Sequence, residues 1–209
     1  MMKMKHALWF VCLFFLVRLT EAQVNLYVGG NLQGNYSWMR GDQVTFEPGF
    51  GGGFSFVYWE YEYWYLKTGL EYSLKRSSSL QYPEDFNEPV TTPDDKVQIS
   101  YREQSIGIPV GVYFRPYELG ANALLISGSF SLMYVAHLKE STDEFGELVL
   151  TGGDIKPRIK TNLGIGAGYQ RQLDRHTYLN IIPSFNLDIR SPRAYQSIIL
   201  TAELIFGIY

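Results

Sequence analysis

The sequence predicts an all-β protein, a closed antiparallel eight-stranded up-and-down transmembrane β-barrel. Three observations lead to this prediction. Apolar and polar residues alternate in eight segments, as they do in strands whose two faces meet different surroundings. The chain is 16% aromatic, with 16 Tyr and 20 Gly, a composition that favours strands and aromatic girdles. After the first residues no stretch approaches 18 apolar residues, so no membrane-spanning helix is predicted.

The first 22 residues have the features of a secretory signal peptide. Two lysines precede an apolar run over 7–17, and the small residues Thr20 and Ala22 stand where a signal peptidase reads the chain. We predict cleavage before Gln23, which leaves 23–209 as one outer-membrane β-barrel domain. An uncleaved membrane anchor is the alternative, but eleven helical residues at about 1.5 Å each cover only about half of a hydrocarbon core of roughly 30 Å.

The composition of the mature chain argues against cysteine-based sites and against nucleic-acid binding. The only cysteine, Cys12, lies in the signal peptide, so neither disulfides nor thiolate metal sites are expected, and no cofactor is predicted. Cleavage leaves 15 basic and 20 acidic side chains, a formal charge of −5. Because a nucleic-acid-binding surface needs a basic patch, no nucleic-acid partner is expected.

The first three segments, 24–34, 44–59 and 64–75, each place apolar side chains on one face. Leu26 and Leu32 alternate with polar or small residues in the first segment. The second sets aromatic side chains against glycines. In the third, Leu74 and its apolar neighbours oppose a face that carries all the charges. The alternation therefore predicts that each segment is a strand with one apolar and one polar face.

The middle segments, 97–114 and 122–138, alternate in the same way. Pro109 cannot donate a hydrogen bond to a β-ladder, so we expect a bulge at that position. In the fifth segment serines share the polar face, and the parity of the segment directs His137 to that same face.

The last three segments are 158–170, 178–190 and 195–209. The first of them alternates almost perfectly, with Leu163 and Ile165 opposite glycines. Connections between the eight segments alternate in length, with the longer ones at 35–43, 76–96 and 139–157. Short periplasmic turns and long external loops are typical of outer-membrane barrels, and an even strand count returns both termini to the periplasm.

Aromatic residues cluster near the short turns, where one membrane interface should lie. We predict that they form a periplasmic girdle. Its members are Tyr58, Trp59, Tyr61, Tyr63, Trp64, Phe114, Tyr117, Tyr178, Phe206 and Tyr209.

Alternation alone does not say which face is inside, because a soluble lipocalin-like carrier has the same pattern with its faces exchanged. Small residues crowd the polar face, and a narrow eight-stranded barrel has room for little more than its own side chains. The opposite face is nearly free of charge, which suits lipid. We therefore predict an apolar wall and a lumen filled by charges of both signs, namely Glu47, Lys67, Glu71, Glu103, Arg158, Lys160, Asp188 and Glu203.

Two stretches resemble the outer-membrane β-barrel proteins of Bacteroidota that include PorT-like proteins, with an architecture similar to OmpX-type barrels. Residues 105–110, Ser-Ile-Gly-Ile-Pro-Val, resemble the family's Ile-Pro strand, and 163–169 resemble its Gly-Ala-Gly-Tyr strand. The terminal aromatic Tyr209 resembles the signal that the barrel-insertion machinery reads. The resemblance implies a Gram-negative outer-membrane barrel, and for some relatives a role in type IX secretion.

No catalytic, cofactor or metal site is predicted. Gly164, Gly166 and Gly168 lack the helix of a dinucleotide-binding turn, and the glycines of 49–53 lack the Lys and Ser/Thr of a phosphate loop. A lipid A deacylase could use His137 with a nearby serine, but its site should face the membrane and the parity turns this histidine inward.

The long connections 76–96 and 139–157 are rich in carboxylates. Their acidic side chains could gather divalent cations that bridge lipopolysaccharide, although mobile solvated loops are the alternative. The expected function is a non-enzymatic structural or interaction barrel of the cell outer membrane. Its expected partners are outer-membrane lipid and lipopolysaccharide, the barrel-insertion machinery and, in the PorT-like alternative, secretion-system proteins.

Overall fold

A computed structural model describes residues 25–39, 45–61, 63–81, 97–142, 146–151, 158–189 and 195–208. The predicted signal peptide and the carboxylates of 82–96, 143–145 and 152–157 lie outside these residues. The described residues form nine β-strands: β1 Asn25–Met39, β2 Glu47–Tyr61, β3 Trp64–Gln81, β4 Val97–Leu119, β5 Asn122–Thr142, β6 Gly146–Thr151, β7 Ile159–Gln172, β8 Thr177–Asp188 and β9 Tyr195–Ile208.

Eight of these strands close into an antiparallel barrel, as predicted. Neighbours pair in chain order, β1 pairs with β9, and β4 pairs with β5, so the wall has no open edge. Closure satisfies the backbone polar groups, which lipid cannot do. Among the described residues no helix is long and apolar enough to cross a membrane.

The two ends of the barrel differ. The end that we call proximal contains Asn25, Ile208 and the short connections β2–β3, β4–β5 and β7–β8, and we call the opposite end distal. The tight β4–β5 turn contains Gly120, whose φ of 60° is a left-handed conformation that glycine adopts without strain. The distal end holds the longer connections, so the predicted alternation of loop length is confirmed.

The predicted orientation of the faces is confirmed. Leu163 and Ile165 are 47% and 69% exposed on the outer surface, whereas Lys160 and Glu203 are 1% exposed in the lumen. A soluble carrier would show the reverse arrangement. Arg158 and Leu74 depart from the prediction: Arg158 is exposed just before β7 begins, and Leu74 is fully buried in the distal half of β3.

The bulge predicted at Pro109 was also wrong. Pro109 pairs with Ser131 of β5 without a register shift. Its missing N–H instead interrupts the ladder to β3, which has no pair between Thr68–Val110 and Glu71–Gly107. The proline that does lie in a bulge is Pro116, within the shift between Phe114 and Tyr117.

A bulge in β5 changes which residues face the lumen. Gln104 pairs with His137 and Ser105 with Val135, so Ala136 is an additional residue without a partner on β4. One extra residue reverses the alternation beyond it. His137 is therefore exposed and Leu138 buried, contrary to the predicted inward direction of His137.

The distal end also carries more strand than predicted. β5 continues to Thr142, and β6 forms within the predicted loop 139–157. β6 pairs with the distal part of β5 from His137 to Thr142, whereas the membrane part of β5 pairs with β7. The two strands form a hairpin that extends past the end of β7.

Candidate functional site

The lumen contains the largest concentration of buried polar groups in the described chain. At the distal level Asp188 accepts hydrogen bonds from Lys75 at 3.0 Å, Lys160 at 2.8 Å and Asn162 at 2.7 Å. Lys160 also pairs with Glu103. These four charges come from β3, β4, β7 and β8, and they cancel. We call Lys75, Glu103, Lys160 and Asp188 the distal cluster.

A second pair lies toward the proximal end. Lys67 contacts Glu203 at 2.9 Å, and Ser55 donates to the same carboxylate at 2.7 Å. Asn180 donates to the other carboxylate oxygen at 3.1 Å and accepts from Gln170 at 2.9 Å. We call Lys67 and Glu203 the proximal pair. Buried charges of this kind are tolerated only when they are paired and hydrogen-bonded.

Below the proximal pair an aromatic layer closes the lumen. Trp59 lies 5.5 Å from Tyr27, 5.0 Å from Tyr65 and 4.9 Å from Tyr178 between ring centroids. Tyr65 stacks on Tyr113 at 4.9 Å with an interplanar angle of 3°. These distances are in the range for favourable aromatic pairs. We call these five residues the aromatic layer.

The aromatic layer corrects part of the predicted girdle. Trp59 is only 7% exposed and points into the barrel, and Tyr178 packs against it. Of the other predicted members, Tyr63, Phe114, Tyr117 and Phe206 are exposed on the outer surface, and Tyr58 and Trp64 are half-buried. The side chains of Tyr61 and Tyr209 lie outside the described residues.

Strand alternation alone does not predict the aromatic layer, because it assigns every lumen-facing side chain to a polar environment. A signal was present in the sequence, since Val57 and Trp59 flank Tyr58 and Ile205 lies between Leu204 and Phe206. Such unbroken apolar runs at the proximal ends of strands mean that both faces are apolar there. Val57 and Ile205 are indeed completely buried inside the barrel.

Between the distal cluster and the proximal pair lies a polar chamber. Its cavity volume is about 80 Å³, which is room for several waters at roughly 15 Å³ each. Its charged lining residues are Lys67, Glu71 and Lys75. Hydroxyl and amide groups line most of the rest, from Asn31, Gln33, Ser55, Ser73, Ser127, Ser129, Ser131, Asn162, Ser184, Asn186 and Thr201.

The structure does not assemble the hydrolase arrangement considered from sequence. Ser129 and Ser131 line the chamber, whereas His137 lies on the outside beyond the Ala136 bulge. His176 is in the β7–β8 turn at the opposite end of the barrel. Within the described ranges no three His, Cys, Asp or Glu residues are grouped as a metal site. The glycines of 49–53 and of 164–168 lie in β2 and β7, not in phosphate-binding loops.

The β7–β8 turn at the proximal end is held by a carboxylate. Asp174 accepts a hydrogen bond from the backbone N–H of His176 at 2.8 Å, and Leu173 donates to the carbonyl of Thr177 at 2.9 Å. The hydrogen bond from His176 to the ionised form, followed by that from Thr177, lowers the pKa of Asp174 below its usual 3.8. This carboxylate is exposed, so its role is to shape the turn.

Comparison with known proteins supports the fold and not a family. No protein-family model matches the chain, and no curated protein matches it in sequence. Among solved structures, Neisserial surface protein A (NspA) matches with a TM-score of 0.51 and 14% identity, over 88% of this chain and 97% of that chain.

Two further structures are similar at lower scores. A major outer membrane protein from Thermus thermophilus gives a TM-score of 0.48 at 13% identity, covering 87% of this chain and 99% of that one. Ail, the attachment invasion locus protein of Yersinia pestis, gives 0.42 at 16%, covering 88% and 100%. We base the comparison of folds on NspA, since its TM-score of 0.51 is the one above 0.5 among these three structures. The match to NspA and the apolar outer wall show the fold of a small eight-stranded outer-membrane β-barrel, which agrees with the cell outer membrane location predicted from sequence.

Proposed function

We propose that this chain is a non-enzymatic outer-membrane barrel with a structural or interaction role, and that its lumen does not conduct. The occupied lumen is the observation that carries this proposal. The distal cluster ties four strands together across the interior. The proximal pair and the aromatic layer close the other end. A solute would have to displace both obstacles, so the chain is not an open porin.

Planar-bilayer recording tests the closed lumen. The wild-type barrel should give no steady ion conductance. Combining Asp188→Asn and Lys160→Met in the distal cluster with Trp59→Ala and Tyr65→Ala in the aromatic layer should produce channels. Either pair of substitutions alone should leave the barrel closed, because the other obstacle remains. Steady conductance by the wild type would refute the proposal.

The distal hairpin supports an interaction role. β6 pairs with β5 on one side, and on its other side the described part of the chain provides no ladder partner. An edge strand of six residues can accept an extended segment of another protein through backbone hydrogen bonds. With periplasmic termini the hairpin would stand outside the cell, near lipopolysaccharide. Replacing Leu148 and Leu150 by proline should abolish such binding on intact cells while leaving the barrel folded.

The second candidate is a PorT-like component of the type IX secretion machinery, favoured by the two resembling stretches. Both stretches contribute to the lumen, since Pro109 lines the chamber and Gly164 packs against Ser129 and Asn186. Deleting the gene and measuring export of secreted cargo separates the candidates. Retention of cargo in the periplasm would favour the secretion role, and normal export would favour the general interaction role. Lipopolysaccharide and the barrel-insertion machinery are proposed partners under either candidate.

A further inference from the structure

The outer wall carries a row of basic side chains at its distal end. Arg76 of β3 pairs with Arg102 of β4, and Arg102 pairs with Lys139 of β5. These three residues lie on the face opposite to Lys75 and Glu103, which are buried in the lumen, so the row is on the outside. Arg102 is exposed, and Arg76 and Lys139 are half-buried. We call Arg76, Arg102 and Lys139 the basic row.

The two arginines of the basic row have no counter-charge in the described part of the chain. Neither guanidinium forms an ion pair with a described carboxylate, and the Nε of Arg76 is buried without a hydrogen-bond acceptor. Arg115, which is also half-buried, pairs with Glu118 at 2.8 Å. Like charges directly opposite each other on neighbouring strands are destabilising. An anion from outside the chain would therefore stabilise this part of the wall.

The basic row lies just beyond the apolar band of the wall. On β4 the outward side chains from Phe114 to Ile106 are apolar and exposed, and Arg102 lies four residues beyond Ile106 toward the distal end. Four residues at about 3.4 Å each, on a strand tilted by roughly 40°, place Arg102 about 10 Å above the apolar band. The headgroup layer on one side of a membrane is about 5–8 Å thick. Because an arginine side chain can extend down to that layer, the basic row is within reach of lipid headgroups.

Another sector of the distal rim carries aromatic rings instead. Trp38 lies 4.8 Å from Phe46 and 6.2 Å from Phe185 between ring centroids. Rings of this kind anchor a wall at the membrane interface. Two arginines side by side occur in the β3–β4 sector of the described rim, so a ligand with a localised negative charge would bind there rather than beside the rings.

We infer that the basic row binds a lipid A phosphate of lipopolysaccharide in the outer leaflet. This inference rests on the proposed function, because it requires the distal end to face the cell exterior. A planar guanidinium matches phosphate through two parallel N–H···O bonds, and a phosphate monoester carries about −1.5 to −2 charges at pH 7. One such group offsets the like-charge contact of Arg76 with Arg102. The acyl chains of the same molecule lie against the apolar band below, a contact that a soluble anion lacks.

Lipid binding to the purified, folded barrel in detergent tests this site. Lipid A is compared with lipid A from which the phosphates have been removed, and bound lipid is counted by native mass spectrometry. We expect the wild type to bind the phosphorylated form at least about tenfold more tightly, since a hydrogen bond to a charged group usually contributes a factor of that size. Arg76→Gln with Arg102→Gln should remove this preference. Arg76→Lys with Arg102→Lys, which keeps both charges, should retain part of it.

Arg171→Gln with Arg175→Gln is the matched control, because it removes two exposed arginines at the proximal end. It should keep the full preference for phosphorylated lipid A. The inference is overturned if the wild type binds both forms equally, a comparison that needs no variant to fold, or if the control loses as much as the double variant of the row. It is also overturned if that variant loses binding of heparin, a soluble sulfated glycan, while its lipid A binding is unchanged.

Labelling of intact cells separates this inference from the proposed function. With the predicted signal peptide removed the chain has no cysteine, so Ser141→Cys supplies a single thiol in the distal part of β5. A membrane-impermeant maleimide should label it on intact cells. Absence of labelling would overturn the external position of the distal end, and the inference with it. Labelling together with equal binding of the two lipid A forms would overturn the inference alone and leave the proposed barrel intact.

Discussion

Removing one charge from the distal cluster should strongly destabilise the barrel. In Asp188→Asn, Lys75 loses its anion at 3.0 Å, whereas Lys160 keeps Glu103. The cluster then carries one uncompensated positive charge in a site where the side chains of Lys75 and Lys160 are 3% and 1% exposed. Breaking a buried ion pair from one side usually costs about 3–5 kcal/mol. We expect a loss of that size in the free energy of unfolding.

A second substitution that restores neutrality should recover part of this loss. Lys75→Met alone leaves the cluster with a net negative charge, but Lys75→Met with Asp188→Asn leaves only the neutral pair of Lys160 and Glu103. Replacing a buried ion pair by uncharged groups of similar volume is often nearly neutral. The double variant should therefore be more stable than Asp188→Asn, with a coupling energy of about 1–3 kcal/mol.

Urea unfolding in lipid vesicles, followed by tryptophan fluorescence, measures these free energies. Glu118→Gln is the matched control, because it removes a carboxylate from an ion pair of 2.8 Å whose side chains are 15% and 34% exposed. Exposed pairs contribute about 0–1 kcal/mol, so the control should change little. A cost below about 1 kcal/mol for Asp188→Asn, or a double variant less stable than both singles, would show that the distal cluster does not hold the barrel by charge balance.

Three further predictions concern the wall and its proximal turn. Ile165→Lys puts a charge on the lipid-facing surface and should cost about 2–4 kcal/mol in the same unfolding assay, whereas a change within about ±0.5 kcal/mol would contradict a membrane wall. Pro109→Ala supplies a donor where the β3–β4 ladder is interrupted and should add about 0.5–1.5 kcal/mol, while Pro116→Ala in the bulge should add nothing. NMR titration of Asp174 should give a pKa below 3.8. Because its folded pKa is depressed, its contribution to stability is present above the unfolded pKa of about 3.9 and disappears as pH falls through the folded value.

The sequence by itself determined which side chains form the outer wall of this protein. Side-chain direction in a strand has a period of two, so a run such as Leu163-Gly164-Ile165-Gly166 shows locally which residues share a face. The choice between inside and outside also followed from composition, because only the face with charges and small residues fits a narrow closed lumen. The number of strands in the barrel wall, the lipid face and the position of Lys67, Glu71 and Asp188 in the lumen were therefore predictable, whereas β6 was not.

Only the tertiary structure decided where this local rule fails and which charges meet. The extra residue Ala136 reverses the alternation of β5, and no feature of the sequence around it marks the change. Lys67 meets Glu203 across 136 positions of sequence, because barrel closure and strand stagger bring β3 and β9 to the same level of the lumen. Alternation is a property of one strand, whereas pairing depends on the whole barrel.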